Sequence, residues 1–258
     1  MRKLMYVRSL FLLCFLLSVL LPFQSAIADP IHEYARDGNM KEVKHLVKEG
    51  VDVNVRSKYG STPLHLATIR GHNRVARYLI SQEADVNAKN IFGGTPLHLV
   101  AEKGYTDVAK LLISNGANVN TEDLNGYTPL HRAVVFCHKD MVELLISKGA
   151  DINNNSTVPD RWTPLNIAAY LGHRDIVELL ISKNADINYA DVEGWTSLHL
   201  ATLRGDIEVV ELLISKGSDI NAESGGIYSH GWGTPLEIAI YNRYKDIEEL
   251  LRQHGGRE

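Results

Sequence analysis

The tetrapeptide Thr-Pro-Leu-His, or a close variant of it, starts at Thr62, Thr95, Thr128, Thr163, Thr196 and Thr234. The successive intervals are 33, 33, 35, 33 and 38 residues. A nearly fixed period in this range points away from a single globular core. It requires stacked supersecondary units, each covering its apolar face with the next. Such a stack presents a long ordered surface and no natural enclosed pocket. The expected class of function is therefore binding rather than catalysis.

One unit runs from Gly60-Ser61-Thr62-Pro63-Leu64-His65 to Ala84-Asp85-Val86-Asn87. Thr62 is suited to cap a helix N-terminus with its hydroxyl. Pro63 fits the first helical position, where its missing N–H costs nothing. Leu64 and Ala67 share a helix face, and Ala67 allows close helix approach. Gly71 permits the positive φ that stops the helix. Val75, Leu79 and Ile80 are spaced for the buried face of a second helix. Ala-Asp-Val-Asn then leads into a turn before the next unit.

This pattern closely resembles the ankyrin repeat, from Pro30 to about Gly255. The resemblance implies an all-α solenoid of about seven helix-pair units with projecting β-hairpin loops. It also implies an L-shaped section, a concave groove, and a role in binding other proteins. The units fall near residues 30–57, 58–90, 91–123, 124–157, 158–191, 192–224 and 225–258. The end units are atypical. Ile31-His32-Glu33-Tyr34-Ala35 aligns with Leu64-His65 but reads as lacking Thr-Pro, and Glu237 replaces the histidine of the last copy. Both ends carry charged helices suited to solvated caps.

Residues 1–28 have the three parts of a secretory signal peptide: Arg2, Lys3 and Arg8, an apolar run from Leu10 to Leu21, and Ala26-Ile27-Ala28. The apolar run is short of the roughly 20 residues that span a bilayer. Cleavage after Ala28 would start the mature domain, 29–258, at Asp29. Export to a periplasm or the extracellular space is expected, with no membrane association after cleavage. After Ala28, 24 Lys and Arg face 31 Asp and Glu, a balance of −7. No basic stripe interrupts it, which argues against a nucleic-acid partner. Cys137 is the sole mature cysteine, so no internal disulfide is possible. It stands where other units mostly carry Gly, a position expected to need positive φ.

The recurring His65, His98, His131 and His199 do not suggest a metal centre. Equivalent positions in packed helices lie roughly 8–10 Å apart, too far to share an ion. Local hydrogen bonding around the Thr explains them better, and Asn166 and Glu237 break the series. No nucleophile motif, phosphate loop or paired-cysteine cluster is present, so no catalytic residue, cofactor or metal is expected.

Two hairpins are longer than their neighbours, Asn153–Trp162 by two residues and Ala222–Gly233 by five. The first contains two overlapping sequons, at Asn154 and Asn155. All three tryptophans, Trp162, Trp195 and Trp232, sit at hairpin bases, as does Tyr127. Hairpin tips add Tyr59, Phe92 and Tyr228. The exposed ends of first helices add Phe136, Tyr170, Arg204 and Tyr241. Aromatic residues and Arg dominate binding hot spots. The expected contact set is thus Tyr59, Phe92, Tyr127, Phe136, Trp162, Tyr170, Trp195, Arg204, Trp232 and Tyr241. The function expected is a non-catalytic, monomeric protein-interaction module. The alternative is a secreted effector or inhibitor that occludes a target enzyme.

Overall fold

The computed structural model describes residues 29–155, 161–225 and 233–258. The expected leader at 1–28, and Tyr228 and Trp232, lie outside them. The described residues hold fourteen helices and no strand. They divide into two compact parts. The first ends at Pro96 and holds α1 (Pro30–Arg36), α2 (Met40–Lys48), α3 (Pro63–Ile69) and α4 (Asn73–Ser81). The second, Leu97–Glu258, holds nearly all of α5 (Pro96–Lys103), then α6 (Thr106–Ser114), α7 (Pro129–Val135), α8 (Lys139–Ser147) and α9 (Pro164–Leu171). It continues with α10 (Arg174–Ser182), α11 (Ser197–Arg204), α12 (Ile207–Ser215), α13 (Pro235–Asn242) and α14 (Lys245–Gln253).

The helices are seven to nine residues long. Isolated helices this short are unstable in water, so packing must hold them. Within the second part, first helices stack on first helices: α7 on α9, α9 on α11, α11 on α13. Each packs its own second helix as well. Leu130, Ala133, Leu165, Ala168, Leu198 and Ala201 supply the buried face, all at most 1% exposed.

Helix starts follow from chemistry. Thr62, Thr128 and Thr196 hold extended backbone at the N-cap, followed by Pro or Ser at the first helical position. The first repeat lacks the capping Thr, as its sequence reads, but keeps the Pro. α1 begins at Pro30 with Asp29 at its N-cap, so Asp-Pro stands in for Thr-Pro.

Four of the loops are tight hairpins of turns. Ser57, Asn90, Asp123 and Asp191 donate their backbone N–H to the carbonyls of Ser61, Gly94, Tyr127 and Trp195. Their side chains close the turn. Asn90 Oδ1 accepts from Phe92 and Gly94, Asp123 Oδ1 from Asn125 and Tyr127, and Asp191 Oδ1 from Glu193 and Trp195.

A row of asparagines staples successive repeats. In the first part Asn54 donates to Glu83 O at 3.2 Å and accepts from Asp85 N at 2.8 Å. In the second part Asn120 does the same with Gly149 O and Asp151 N. Asn153 and Asn188 accept from Asp186 N and Asp219 N. Asn221 grips the C-terminal residues, donating to Gly255 O and accepting from Arg257 N.

Candidate partner-binding face

The recurring histidines are structural, as their spacing predicts. Thr62 N donates to His65 Nδ1 at 3.1 Å, and His65 Nε2 reaches the Gly94 carbonyl at 3.1 Å. His98 reaches the Tyr127 carbonyl at 3.0 Å. At His65 this fixes a neutral ring with Nδ1 accepting and Nε2 donating. Two rings lead into the lengthened hairpins, and both are less well held. His199 reaches Gly233 O at 3.3 Å, and His131 Nε2 makes no well-directed hydrogen bond among the described residues. Burial pushes the pKa of each down to about 4. The Trp162 backbone and the Asp123 carboxylate oppose that shift at His131, and the Gly233 backbone opposes it at His199. Among the described residues no group of three or more His, Cys, Asp or Glu could hold a metal.

Structure separates the expected contact residues into two sets. Tyr127, Trp162 and Trp195 are buried, 4%, 8% and 1% exposed. That corrects the expectation that hairpin-base aromatics face a partner. The hairpin folds them inward, against the helix that follows. Tyr127 meets His131 edge-on at 5.5 Å, Trp195 lies 5.7 Å from His199, and Trp162 lies 5.0 Å from Tyr170. Trp162 Nε1 also donates to Asp191 Oδ2 at 2.9 Å.

The second set stays accessible. Phe136 and Tyr170 are half-buried, Arg204 is exposed, and Tyr241 is 52% exposed. All four lie at the C-terminal ends of first helices in the second part, or one residue beyond. The Arg204 guanidinium stacks over the Tyr170 ring at 5.3 Å. Tyr59 and Phe92 are half-buried hairpin residues of the first part, and Lys58 Nζ lies 4.7 Å from the Tyr59 ring centroid.

Sequence reasoning missed two features. Ile91, Leu124 and Val192 stand four residues before the capping Thr of their repeats and are exposed, Leu124 by 70% and Val192 by 59%. Apolar residues recurring at one register inside turns were the available signal. The other is a buried ion cluster. Arg132 replaces the Leu or Ile of neighbouring repeats and pairs with Asp123, with Glu102 at 3.9 Å. Glu102 also meets Lys103 at 2.9 Å. A cavity of about 450 Å³ is lined by Asp140, Glu143, Leu144, Ile146, Ser147 and Lys183 on the second helices, and no expected contact residue lines it.

Cys137 adopts φ 58° and is exposed. Burial by its neighbours and the Asp175 carboxylate raise its thiol pKa, which disfavours the thiolate. The sequon amides are engaged: Asn154 donates to Glu122 and Asn155 to the Tyr189 hydroxyl, both at 3.0 Å.

Stacked pairs of short helices joined by turn-closed hairpins define a helical solenoid. A family model described as ankyrin repeats, in three copies, matches residues 15–90, 87–156 and 153–224, and the chain belongs to that family. The first matched copy begins inside the apolar run, whereas α1 begins at Pro30. Among solved structures, the human ASB11 ankyrin repeat domain is similar at 27% identity and a TM-score of 0.77. That match covers 90% of this chain and 100% of the other. Comparison with curated proteins returns no match. Solved chains that match number 639, so the fold by itself selects no partner. Ankyrin repeats are in general protein–protein interaction modules, and the fold is typically a non-catalytic scaffold. No helix among the described residues is long and apolar enough to cross a membrane.

Proposed function

We propose that this chain is an exported, non-catalytic adaptor that binds a protein partner through its first-helix face. The observation that carries the reading is the accessible row Phe136, Tyr170, Arg204 and Tyr241 on successive first helices. Rings of this kind on a rigid scaffold supply contact area at low entropic cost. Export rests on the basic start, the apolar run and Ala26-Ile27-Ala28.

The test is binding by paired baits. One is unaltered. The other carries Phe136→Ala, Arg204→Ala and Tyr241→Ala, which leave the buried tryptophans intact. A partner retained by the first and lost by the second is expected, at equal melting temperature of the two baits. Equal retention would defeat the first-helix reading. A captured enzyme whose activity falls on binding would make the adaptor an inhibitor. N-terminal sequencing of chain recovered outside the cytoplasm is expected to begin at Asp29. An intact Met1 there would defeat cleavage after Ala28.

A further inference from the structure

The charges of the second part are segregated between its two rows of helices. The second helices α6, α8, α10, α12 and α14 carry ten carboxylates against five Lys and Arg. The first helices α5, α7, α9, α11 and α13 carry two carboxylates against three cations. Neither of those two carboxylates is free. Glu102 is buried beside Lys103 and Arg132, and Glu237 accepts from Thr234 N at 3.0 Å. The acidic excess therefore lies on the second helices, and the aromatic first-helix row carries none of it.

Among Phe136, Tyr170, Arg204 and Tyr241, Arg204 is the cation, and it is exposed, whereas Lys103 on α5 is already paired with Glu102. Its guanidinium rests on the Tyr170 ring, whose other contact is the buried Trp162, itself anchored to Asp191. No carboxylate among the described residues pairs with Arg204 within 4.0 Å, whereas Arg132, Arg174 and Arg252 are each paired with one. A guanidinium stacked on a fixed ring has already lost much of its rotamer freedom, and its fork matches a carboxylate.

Resting on the first-helix reading above, we propose that this face takes an extended peptide segment bearing a carboxylate. Arg204 holds the carboxylate, and Phe136, Tyr170 and Tyr241 take apolar side chains on either side. The second-helix face repels the same ligand, so charge also sets which face it approaches.

Short random peptides displayed on phage and selected on the full chain test this. Selected peptides are expected to share an Asp or Glu beside apolar residues. Changing that acid to its amide, or Arg204→Glu in the chain, should each weaken binding at least about tenfold, and the two together little more. Arg204→Lys should keep part of the affinity, and Glu211→Lys on α12 should change nothing. Selected peptides that need Phe136 or Tyr241 yet ignore Arg204 would overturn the carboxylate and leave the adaptor reading standing. Peptides indifferent to Phe136, Arg204 and Tyr241 alike, or no selection above background, would overturn both.

Discussion

Asn166 Nδ2 donates to Ser197 Oγ at 3.2 Å, joining two departures from the repeat pattern into one interaction. Asn166 stands where all other repeats but the last carry His, and Ser197 where they carry Pro. Asn166 still serves its own repeat, since Oδ1 accepts from Thr163 N at 3.1 Å. Its amide is shorter than an imidazole, and the Ser197 hydroxyl supplies the partner on the next helix. Ser197→Pro alone should cost about 1–2 kcal/mol, because it strands a fully buried amide. Asn166→His alone should also destabilise. The pair together restores the common pattern and should recover most of the loss. Urea midpoints of the four proteins give the coupling, and strict additivity would sink the idea.

The buried tryptophans carry stability. Trp195→Ala should cost about 3–5 kcal/mol, as expected for emptying a large core site. Tyr241→Ala, at an exposed position, should stay within about 0.5 kcal/mol of the parent. Trp162→Phe isolates the hydrogen bond to Asp191 and should cost roughly 1–2 kcal/mol. Thermal melts with a far-UV signal check all three. A Trp195→Ala protein as stable as Tyr241→Ala would contradict its burial.

Acid should weaken the fold through His131 and His199. Each ring has an ordinary pKa of 6.5 and a folded pKa of about 4. As pH falls, the unfolded chain takes up these protons first. The stability from each neutral ring is complete above about pH 6.5 and is lost progressively down to about pH 4, up to roughly 3 kcal/mol per ring. Burial of the charged ring sets the penalty, and a protonated ring also cannot accept from its Thr N–H. His131→Asn and His199→Asn should each flatten the dependence of the urea midpoint on pH in this window. An unchanged slope in both variants would refute it.

Arg132 is a charged residue in an apolar register, held by Asp123 and Glu102. Arg132→Leu imitates Leu99 and Leu200 but leaves two buried carboxylates without their guanidinium. It should cost about 3 kcal/mol. Adding Glu102→Ala should recover part of that. If Arg132→Leu alone were neutral, the cluster would not be a coupled ion network.

Much of this fold was legible because the same constraints recur in every repeat. Thr, Pro, Gly and the paired apolar spacings each encode a local event, and their coincidence leaves little freedom. Asp29-Pro30 escaped because the cap changed residue type while the Pro kept its place at the first helical position. The surface was harder to read. Sequence places Trp195 and Tyr241 at regular positions alike, but which one meets water depends on the hairpin folding back onto His199. Periodicity gives a register without giving the cover over it. Arg132 was hidden for a related reason. Its partners Glu102 and Asp123 lie 30 and 9 residues before it, and only stacked repeats bring the first of them close.

Cys137 marks a place where the repeat departs from its best residue. It takes φ 58° where Gly38, Gly71, Gly104, Gly172 and Gly205 take 72–75°. A side chain there costs about 1–2 kcal/mol relative to Gly. The equivalent site is crowded in two other repeats. In other repeats the next residue-72-type ring lies where a Cβ would project: a Cβ on Gly38 would meet His72 Nδ1 at 2.7 Å, and one on Gly104 would meet His138 Nδ1 at 2.8 Å. His72 and His138 each bond the preceding repeat at 2.9 Å, to Arg36 O and Glu102 O, whereas His173, in the repeat after Cys137, reaches Val135 O at 3.3 Å. Cys137→Gly removes both the strain and the obstruction. It should raise stability by about 1 kcal/mol, with slower hydrogen exchange along α10 as the His173 bond shortens. A neutral or destabilised Cys137→Gly protein would show that the cysteine is not strained in this turn.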